Sequence, residues 1–318
     1  MVPSAIVGAV IVLFASLLVD RMTGDPQSPW HPVAILGRFI GWWGKPENYS
    51  PKIQRIAGVA FWFITVVLFA LPFYYFTAIS PWYIYLFIGP FLLKSCFAWR
   101  ALEEHTLAVV NALKNGVENG RAQVKMLVSR ETANLEREQI LSAGYESMTE
   151  NITDSIISPL FYFSLFGLAG AAVYRAANTM DAMLGYRDER IRLGWCSARM
   201  DDVLNFLPAR LTVLFLLFYF SFKGRFSITV RIIRRDSHKR PGFNGGIVMA
   251  AMAGGTGIRF EKPGVYIIGD GERSLDAAGP DILRASRIVI IAFAVLAGGT
   301  LFLLGSLINS TGIWNSRN

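Results

Sequence analysis

Residues 58–93 read GVAFWFITVVLFALPFYYFTAISPWYIYLFIGPFLL, a run without a single charged side chain. A helix needs roughly 20 apolar residues to cross the hydrocarbon core of a bilayer, so a run of this length holds two crossings. Ser80-Pro81 divides it, because proline disfavours helix at the residue before it. The pattern predicts spans over about 58–79 and 82–98, folded as a hairpin. Pro72 and Gly89-Pro90 fall inside them, where membrane helices tolerate kinks.

The same reading extends outward in both directions. Val2 to Val19 is uncharged, lacks a basic stretch before it and has no small-residue cleavage pattern before Asp20-Arg21, so it reads as a retained span. Ser155 to Tyr174 is uncharged but broken by Gly167-Leu168-Ala169-Gly170, which leaves a single span and a re-entrant pair of half-helices both open. Val203 to Phe222 is apolar apart from Arg210, and a last apolar stretch runs from Ile288 to about Ile308. Pro241 to Ile258 is uncharged but carries Gly242, Gly245, Gly246, Gly254, Gly255 and Gly257, which leaves a span and a packed or re-entrant segment both open. The fold expected is an all-α, polytopic transmembrane helical bundle of about six spans plus re-entrant segments. It forms one integral membrane domain over 1–318, with polar helical loops at about 99–154, 175–202 and 223–287. If the first span runs outside to inside and every span crosses, the cytoplasmic loops 20–57, 99–154 and 223–287 hold most of the Lys and Arg, and 175–202 lies outside. A re-entrant 155–174 would reverse the side of 175–202.

Composition agrees with this reading. Of 318 residues, 53% are hydrophobic and 17% charged, against about 25% charged in a typical soluble domain, and the mean hydropathy is +0.40. A soluble enzyme and a disordered chain are both excluded. The net charge of +8 is scattered between apolar runs, so it belongs to membrane flanks and anionic substrates, with no nucleic acid as partner. Lys223 to Arg240 in particular reads as a basic membrane-surface segment. Cys96 and Cys196 lie in no CxxC or Cys/His cluster and are expected as buried thiols.

The scarce charges gather in a few places. Glu146, Glu150 and Asp154 repeat at i, i+4 and i+8, with Asn151 between them, and so line one helical face before an apolar segment. Stacked like charges repel, so a cation is expected among them: Mg²⁺, a substrate ammonium, or arginines from elsewhere in the chain. A solvated helix end is the plain alternative. Arg175, Asn178 and Asp181 place a cation, an amide and an anion along one face, followed by Tyr186-Arg187-Asp188-Glu189-Arg190. Arg199, Asp201, Asp202, Asn205 and Arg210 repeat the theme. Paired aspartates beside arginines suit a metal nucleotide, because guanidinium matches phosphate oxygens in geometry; a membrane-flanking ion-pair network is the other reading. Near the N-terminus, Asp20-Arg-Met-Thr-Gly24-Asp25-Pro26 leads through Trp30-His31-Pro32 to Gly37-Arg38, a stiff polar loop in which His31 serves either structure or proton transfer. The other histidines, His105 and His238, complete no metal-ligand spacing with it. No P-loop or dinucleotide fingerprint is present.

In this order the segments resemble the CobD/CbiB family of cobalamin biosynthesis, the membrane-bound adenosylcobinamide-phosphate synthases. The resemblance rests on residues 20–26 with His31-Pro32-Val33 and Gly37-Arg38, on Glu146 to Asp154 running into Pro159-Leu160-Phe161-Tyr162, and on Tyr174-Arg175-Ala-Ala-Asn178-Thr-Met-Asp181. It continues through Tyr186 to Arg190, Ala198 to Asp202 with Asn205 and Pro208-Ala209-Arg210, and Ala250 to Gly254, with Tyr266 extending it. It implies a ligase that joins the carboxylate of adenosylcobyric acid to aminopropanol phosphate or a related amino alcohol, using ATP and Mg²⁺, in the cell (cytoplasmic) membrane. The implied partners are the corrinoid, the amino-alcohol phosphate, membrane lipids and other membrane-bound enzymes of cobalamin assembly. Under it, Glu146, His31 and Asp25 are the catalytic candidates, and Glu150, Asp154, Asp181, Asp201 and Asp202 the metal ligands. Arg38, Asn151, Arg175, Asn178, Arg190, Arg199, Asn205, Arg210 and Asn244 are the substrate and phosphate contacts. The chain departs from the family where Ser-Pro-Asn-x-Gly and then Pro-Glu are usual: it has Gly242-Phe243-Asn244-Gly245-Gly246 and then Val248-Met249, so the asparagine is kept and the glutamate is not. The alternatives of another class are a non-catalytic AmpE-like membrane sensor or accessory protein and a transporter; intramembrane charges of the latter belong mid-span rather than at span ends.

Overall fold

The computed structural model describes residues 4–26 and 28–310. Twelve α-helices dominate these residues: α1 (Ser4–Thr23), α2 (Pro32–Trp43), α3 (Gln54–Ile79), α4 (Trp82–Lys94), α5 (Trp99–Lys114), α6 (Val117–Lys125), α7 (Arg137–Ile152), α8 (Ser158–Leu184), α9 (Trp195–Ser221), α10 (Phe226–Asp236), α11 (Gly245–Thr256) and α12 (Leu275–Ser310). One antiparallel hairpin, β1 (Phe260–Lys262) and β2 (Tyr266–Ile268), pairs Phe260 with Ile268 and Lys262 with Tyr266. Six helical stretches are long and apolar enough to cross a membrane: Ile6–Thr23, Gln54–Ile79, Trp82–Lys114, Arg137–Leu184, Trp195–Ser221 and Leu275–Leu303. On α3 the side chains of Phe63, Ile64, Val67, Leu68, Leu71, Tyr74 and Tyr75 are all exposed. In water such a continuous apolar face would be a liability, whereas lipid is its natural solvent.

The helix ends follow local chemistry. Ser80-Pro81 ends α3 and starts α4, as the sequence predicts. His31 caps α2, with Pro32 at the first helical position, where its missing N–H costs nothing. Glu136 and Gln139 form a reciprocal capping box at the start of α7. Gly257 closes α11 in the left-handed conformation that favours glycine.

Two open readings are resolved and one expectation changes. The stretch 241–258 forms α11, whose 12 residues are all buried except Ile247; at roughly 1.5 Å per residue it is too short to span a bilayer. The break expected in the middle of 155–174 falls at Gly167, whose φ of 65° kinks α8 between two helical halves. The polar stretch before residue 154 is helical, but α7 within it is not a solvated helix. Residues 140 to 146 are buried without interruption, and α7 passes through a π-helical turn, Thr153–Ile157, into α8.

The chain divides into two compact units. The first comprises residues 1–98, 158–204 and 294–318, and the second 99–157 and 205–293. In the first, α1 packs on α4, and α8 packs on α2, α3 and α4, around a core of Leu36, Ile40, Trp43, Trp62, Val66, Met180 and Leu184. Gly58 permits a close approach in this core, because a Cβ there would lie 2.0 Å from the Leu193 carbonyl oxygen. In the second unit, α7 packs on α5, α6, α11 and β1, and α10 packs on α11.

Candidate functional site

In the second unit, α7 carries Glu146 into the interior, where the residue is 5% exposed. Three donors converge on its carboxylate: Arg130 Nη2 at 2.9 Å and Tyr266 Oη at 2.8 Å on Oε2, and Ser142 Oγ on Oε1. Ser142 in turn accepts from the Glu261 backbone N–H at 2.7 Å, which ties β1 to α7. One turn further along α7, Glu150 forms an ion pair with Arg240. Burial works against the charge of Arg240, but Glu150, Tyr266 and Asp154 outweigh it and hold the guanidinium protonated above its ordinary range. The Tyr266 phenol is pushed up by burial and by the Glu146 charge, so it remains a donor. Arginines from elsewhere in the chain thus supply cations to the stacked carboxylates, Arg130 to Glu146 and Arg240 to Glu150.

The segment after Arg240 completes this cluster. Gly245, at the start of α11, sits against the ion pair: a Cβ there would lie 2.8 Å from Arg240 Nη1 and 3.1 Å from Glu150 Oε1. Asn244, just before it, accepts from Arg210 Nη1 at 2.6 Å, while Arg210 Nη2 donates to the Phe243 carbonyl at 3.2 Å. Arg210 also lies 3.7 Å over the Phe206 ring. Asn205 is buried. Asn151 turns back onto its own helix, donating to the Ser147 carbonyl at 2.8 Å and accepting from Ser155 Oγ at 3.3 Å.

The first unit holds a second polar cluster. Lys94, 4% exposed at the end of α4, pairs with Asp25 and lies 3.7 Å from Asp20, which is fully buried. His31 accepts the Val33 backbone N–H at Nδ1 at 3.4 Å, while its Nε2 is buried with no hydrogen-bond partner. Burial, and then the Arg175 charge, hold the His31 imidazolium below its ordinary range. Arg175, on α8, has a buried Nε without a hydrogen-bond partner. One turn on, Asn178 donates to Asp201 Oδ1 at 3.2 Å, and Asp202 lies 4.0 Å from Arg199. Asp181 lies against Gly185, whose N–H donates to its carbonyl at 2.7 Å. Arg190 closes its own loop: it pairs with Asp188, donates to the Met183 carbonyl at 3.0 Å and lies 4.1 Å over the Tyr186 ring. The Arg190 guanidinium and backbone N–H, both donating to it, draw the Asp188 carboxyl down to about 2. Arg38 is exposed on α2.

Among the described residues, no group of three or more His, Cys, Asp or Glu side chains gathers in a metal-holding arrangement. Glu150 and Asp154 belong to the second unit, and Asp181, Asp201 and Asp202 to the first. Both cysteines are buried and unbridged. Sequence reasoning passed over Lys94, Arg130 and Arg240. The signal for Lys94 was present, as the one charge inside the predicted span 82–98, whereas Arg130 and Arg240 lie in charge-rich stretches where nothing local sets them apart.

Six apolar crossings that carry buried, hydrogen-bonded ion clusters define a multi-pass α-helical membrane protein whose interior is built to handle charge. The CobD/Cbib protein family matches residues 13–289, and the chain belongs to that family. It is 37% identical over 302 residues to a "Probable cobalamin biosynthesis protein CobD" of Methanothermobacter thermautotrophicus, covering 93% of this chain and 99% of that one. A protein of the same name from Thermococcus kodakarensis is 38% identical over 305 residues, covering 92% and 97%. The "Cobalamin biosynthesis protein CobD" of Dehalococcoides mccartyi is 35% identical over 290 residues, covering 88% and 92%. No solved structure matches the chain.

Proposed function

We propose that this protein is a membrane-bound ligase of cobalamin biosynthesis that condenses the carboxylate of adenosylcobyric acid with aminopropanol phosphate, or a related amino alcohol, at the expense of ATP. The observation that carries the reading is the family match over residues 13–289, a region that contains both buried polar clusters. A carboxylate is a poor electrophile. Transfer of the terminal phosphoryl group of ATP to it releases ADP and gives an acyl phosphate. Attack by the amine then forms the C–N bond and expels phosphate, which can carry away the amine proton.

The chain supplies groups suited to each part. Asp201 and Asp202, adjacent on α9 and half-buried, with Asn178 on Asp201, match the pair of carboxylates with which Mg²⁺ is commonly held alongside phosphates and water. Mg²⁺ bound there would neutralise phosphate charge. Arg175 and Arg199 in the same unit would take phosphate oxygens. Capping of α2 through Nδ1 leaves the proton of neutral His31 on Nε2, so His31 serves this reaction best as a hydrogen-bond donor to a developing oxyanion. Glu146, already receiving three donors, serves best as the group that fixes Arg130 and Tyr266. The host membrane in this reading is the cell membrane of a prokaryote.

The test is the purified protein in detergent with adenosylcobyric acid, aminopropanol phosphate and Mg-ATP. Amide product and ADP in equal amounts are expected. Absence of both overturns the ligase reading and favours a non-catalytic accessory protein of the same fold. Asp201→Asn and Arg175→Ala variants with full activity would remove those residues from the mechanism and leave the reaction standing.

A further inference from the structure

We infer that Arg130, anchored by Glu146 and flanked by Tyr266 and Arg240, is the arm of a phosphate-binding site in the second unit. Arg130 is nearly buried, its side chain 11% exposed, and its Nη2 is held on Glu146 at 2.9 Å. Its Nη1 is also buried, yet no group of the folded chain accepts from it. A buried guanidinium N–H left without an acceptor is costly, and such orphan donors in native structures call for a bound partner.

The surroundings select the partner's chemistry. Glu146 cannot swing over to serve Nη1, because Ser142 and Tyr266 also hold its carboxylate. Tyr266 shares Glu146 Oε2 with Arg130 and also lies within electrostatic reach of Arg240. Arg130 has Nη2 committed to Glu146 and Nη1 unserved, whereas Arg240 is committed at both ends, Nη2 to Glu150 and Nη1 to the Pro241 carbonyl at 3.0 Å. The planar Arg130 fork, with one tine fixed and the other buried without an acceptor, is pre-organised for a tetrahedral oxyanion, since little rotamer freedom remains to be lost on binding. Glu146, Glu150 and Asp154 outnumber Arg130 and Arg240, so the cluster without ligand is not cationic. This favours a compact phosphate monoester that meets individual N–H groups over a diffuse polyanion. The site itself does not depend on the ligase reading. That reading supplies its two sources of phosphate, the amino-alcohol phosphate and the nucleotide.

The experiment measures binding by calorimetry on the full chain in detergent, without turnover. The probes are inorganic phosphate, aminopropanol phosphate, Mg-ADP and, as control, aminopropanol without phosphate. The wild type is expected to bind inorganic phosphate and one of the two esters, and the ester that binds identifies the source. Arg130→Gln is expected to weaken that binding at least about 10-fold, the worth of one charge-assisted hydrogen bond. Arg130→Lys, which keeps the pair with Glu146 but loses the open tine, is expected to show a smaller loss with an unchanged thermal midpoint, and it decides the matter if Arg130→Gln does not fold. Wild-type protein that binds none of the phosphate probes, or an Arg130→Lys variant that binds them all like wild type, overturns the site. Binding that depends on Arg130 in a protein that forms no amide would refute the ligase reading and leave the site standing.

Discussion

Replacing Glu146 by Gln removes one charge from a place where neither partner of the ion pair can be rescued by water. Glu146 is 5% exposed and the Arg130 side chain 11%, so this is not the surface pair whose worth is about 0–1 kcal/mol. Taking away one partner of a buried pair strands the other, at about 3–5 kcal/mol. Gln keeps the volume and still accepts from Tyr266 or Ser142, which places Glu146→Gln at the low end, about 3 kcal/mol. Arg130→Gln leaves Glu146 charged but still served by two hydroxyl donors, and is expected to cost about 2 kcal/mol. The double variant strands no charge. It is expected to lose about 3 kcal/mol rather than the sum, a coupling of about 2 kcal/mol. Denaturant titration in a mild detergent micelle, followed by tryptophan fluorescence, reads all three. Single costs that add to the double within about 0.5 kcal/mol would refute the claim that Glu146 and Arg130 act as one unit.

Three further outcomes follow from the geometry. Gly245→Ala places a Cβ 2.8 Å from Arg240 Nη1 and 3.1 Å from Glu150 Oε1; the flexible arginine head yields, so stability should change by less than about 1 kcal/mol while amide formation falls, and undiminished activity would separate this ion pair from the reaction. Lys94→Met leaves the buried Asp20 without its lysine and should cost about 3–5 kcal/mol, much of it recovered in Asp20→Asn/Lys94→Met; equal loss in both variants would refute charge stranding as the cause. His31 titrates below its ordinary value in the folded chain, so the unfolded chain takes up this proton first. The contribution of neutral His31 is then complete above about pH 6.5 and lost as the pH falls; His31→Gln should flatten the acid side of a plot of unfolding midpoint against pH, and an unchanged slope would show that His31 does not carry it.

Much of the fold was legible because its signals are local. The hairpin at Ser80-Pro81 is found where it was expected, between α3 and α4. The limits of local reading show at α7, whose polar composition suggests water although tertiary packing buries residues 140 to 146 without interruption. They show again at α11, where glycine content left span and packed helix both open until its length and burial decided. The small hairpin of β1 and β2 gave no signal among the polar residues of 223–287, yet it is what delivers Tyr266 to Glu146.

The candidate site divides along the same line. The i, i+4 spacing alone placed Glu146 and Glu150 on one face of one helix and demanded a counter-charge. The identity of that counter-charge was a tertiary matter: Arg130 is 16 residues from Glu146, Tyr266 is 120 from it, and Arg240 is 90 from Glu150. What the sequence determined by itself is the membrane architecture, because hydrocarbon forces each crossing to satisfy its own backbone hydrogen bonds and so writes each span into one contiguous apolar run. Only the tertiary structure decided which charges meet, because an ion pair is formed in space between side chains whose separation along the chain carries no periodicity to read.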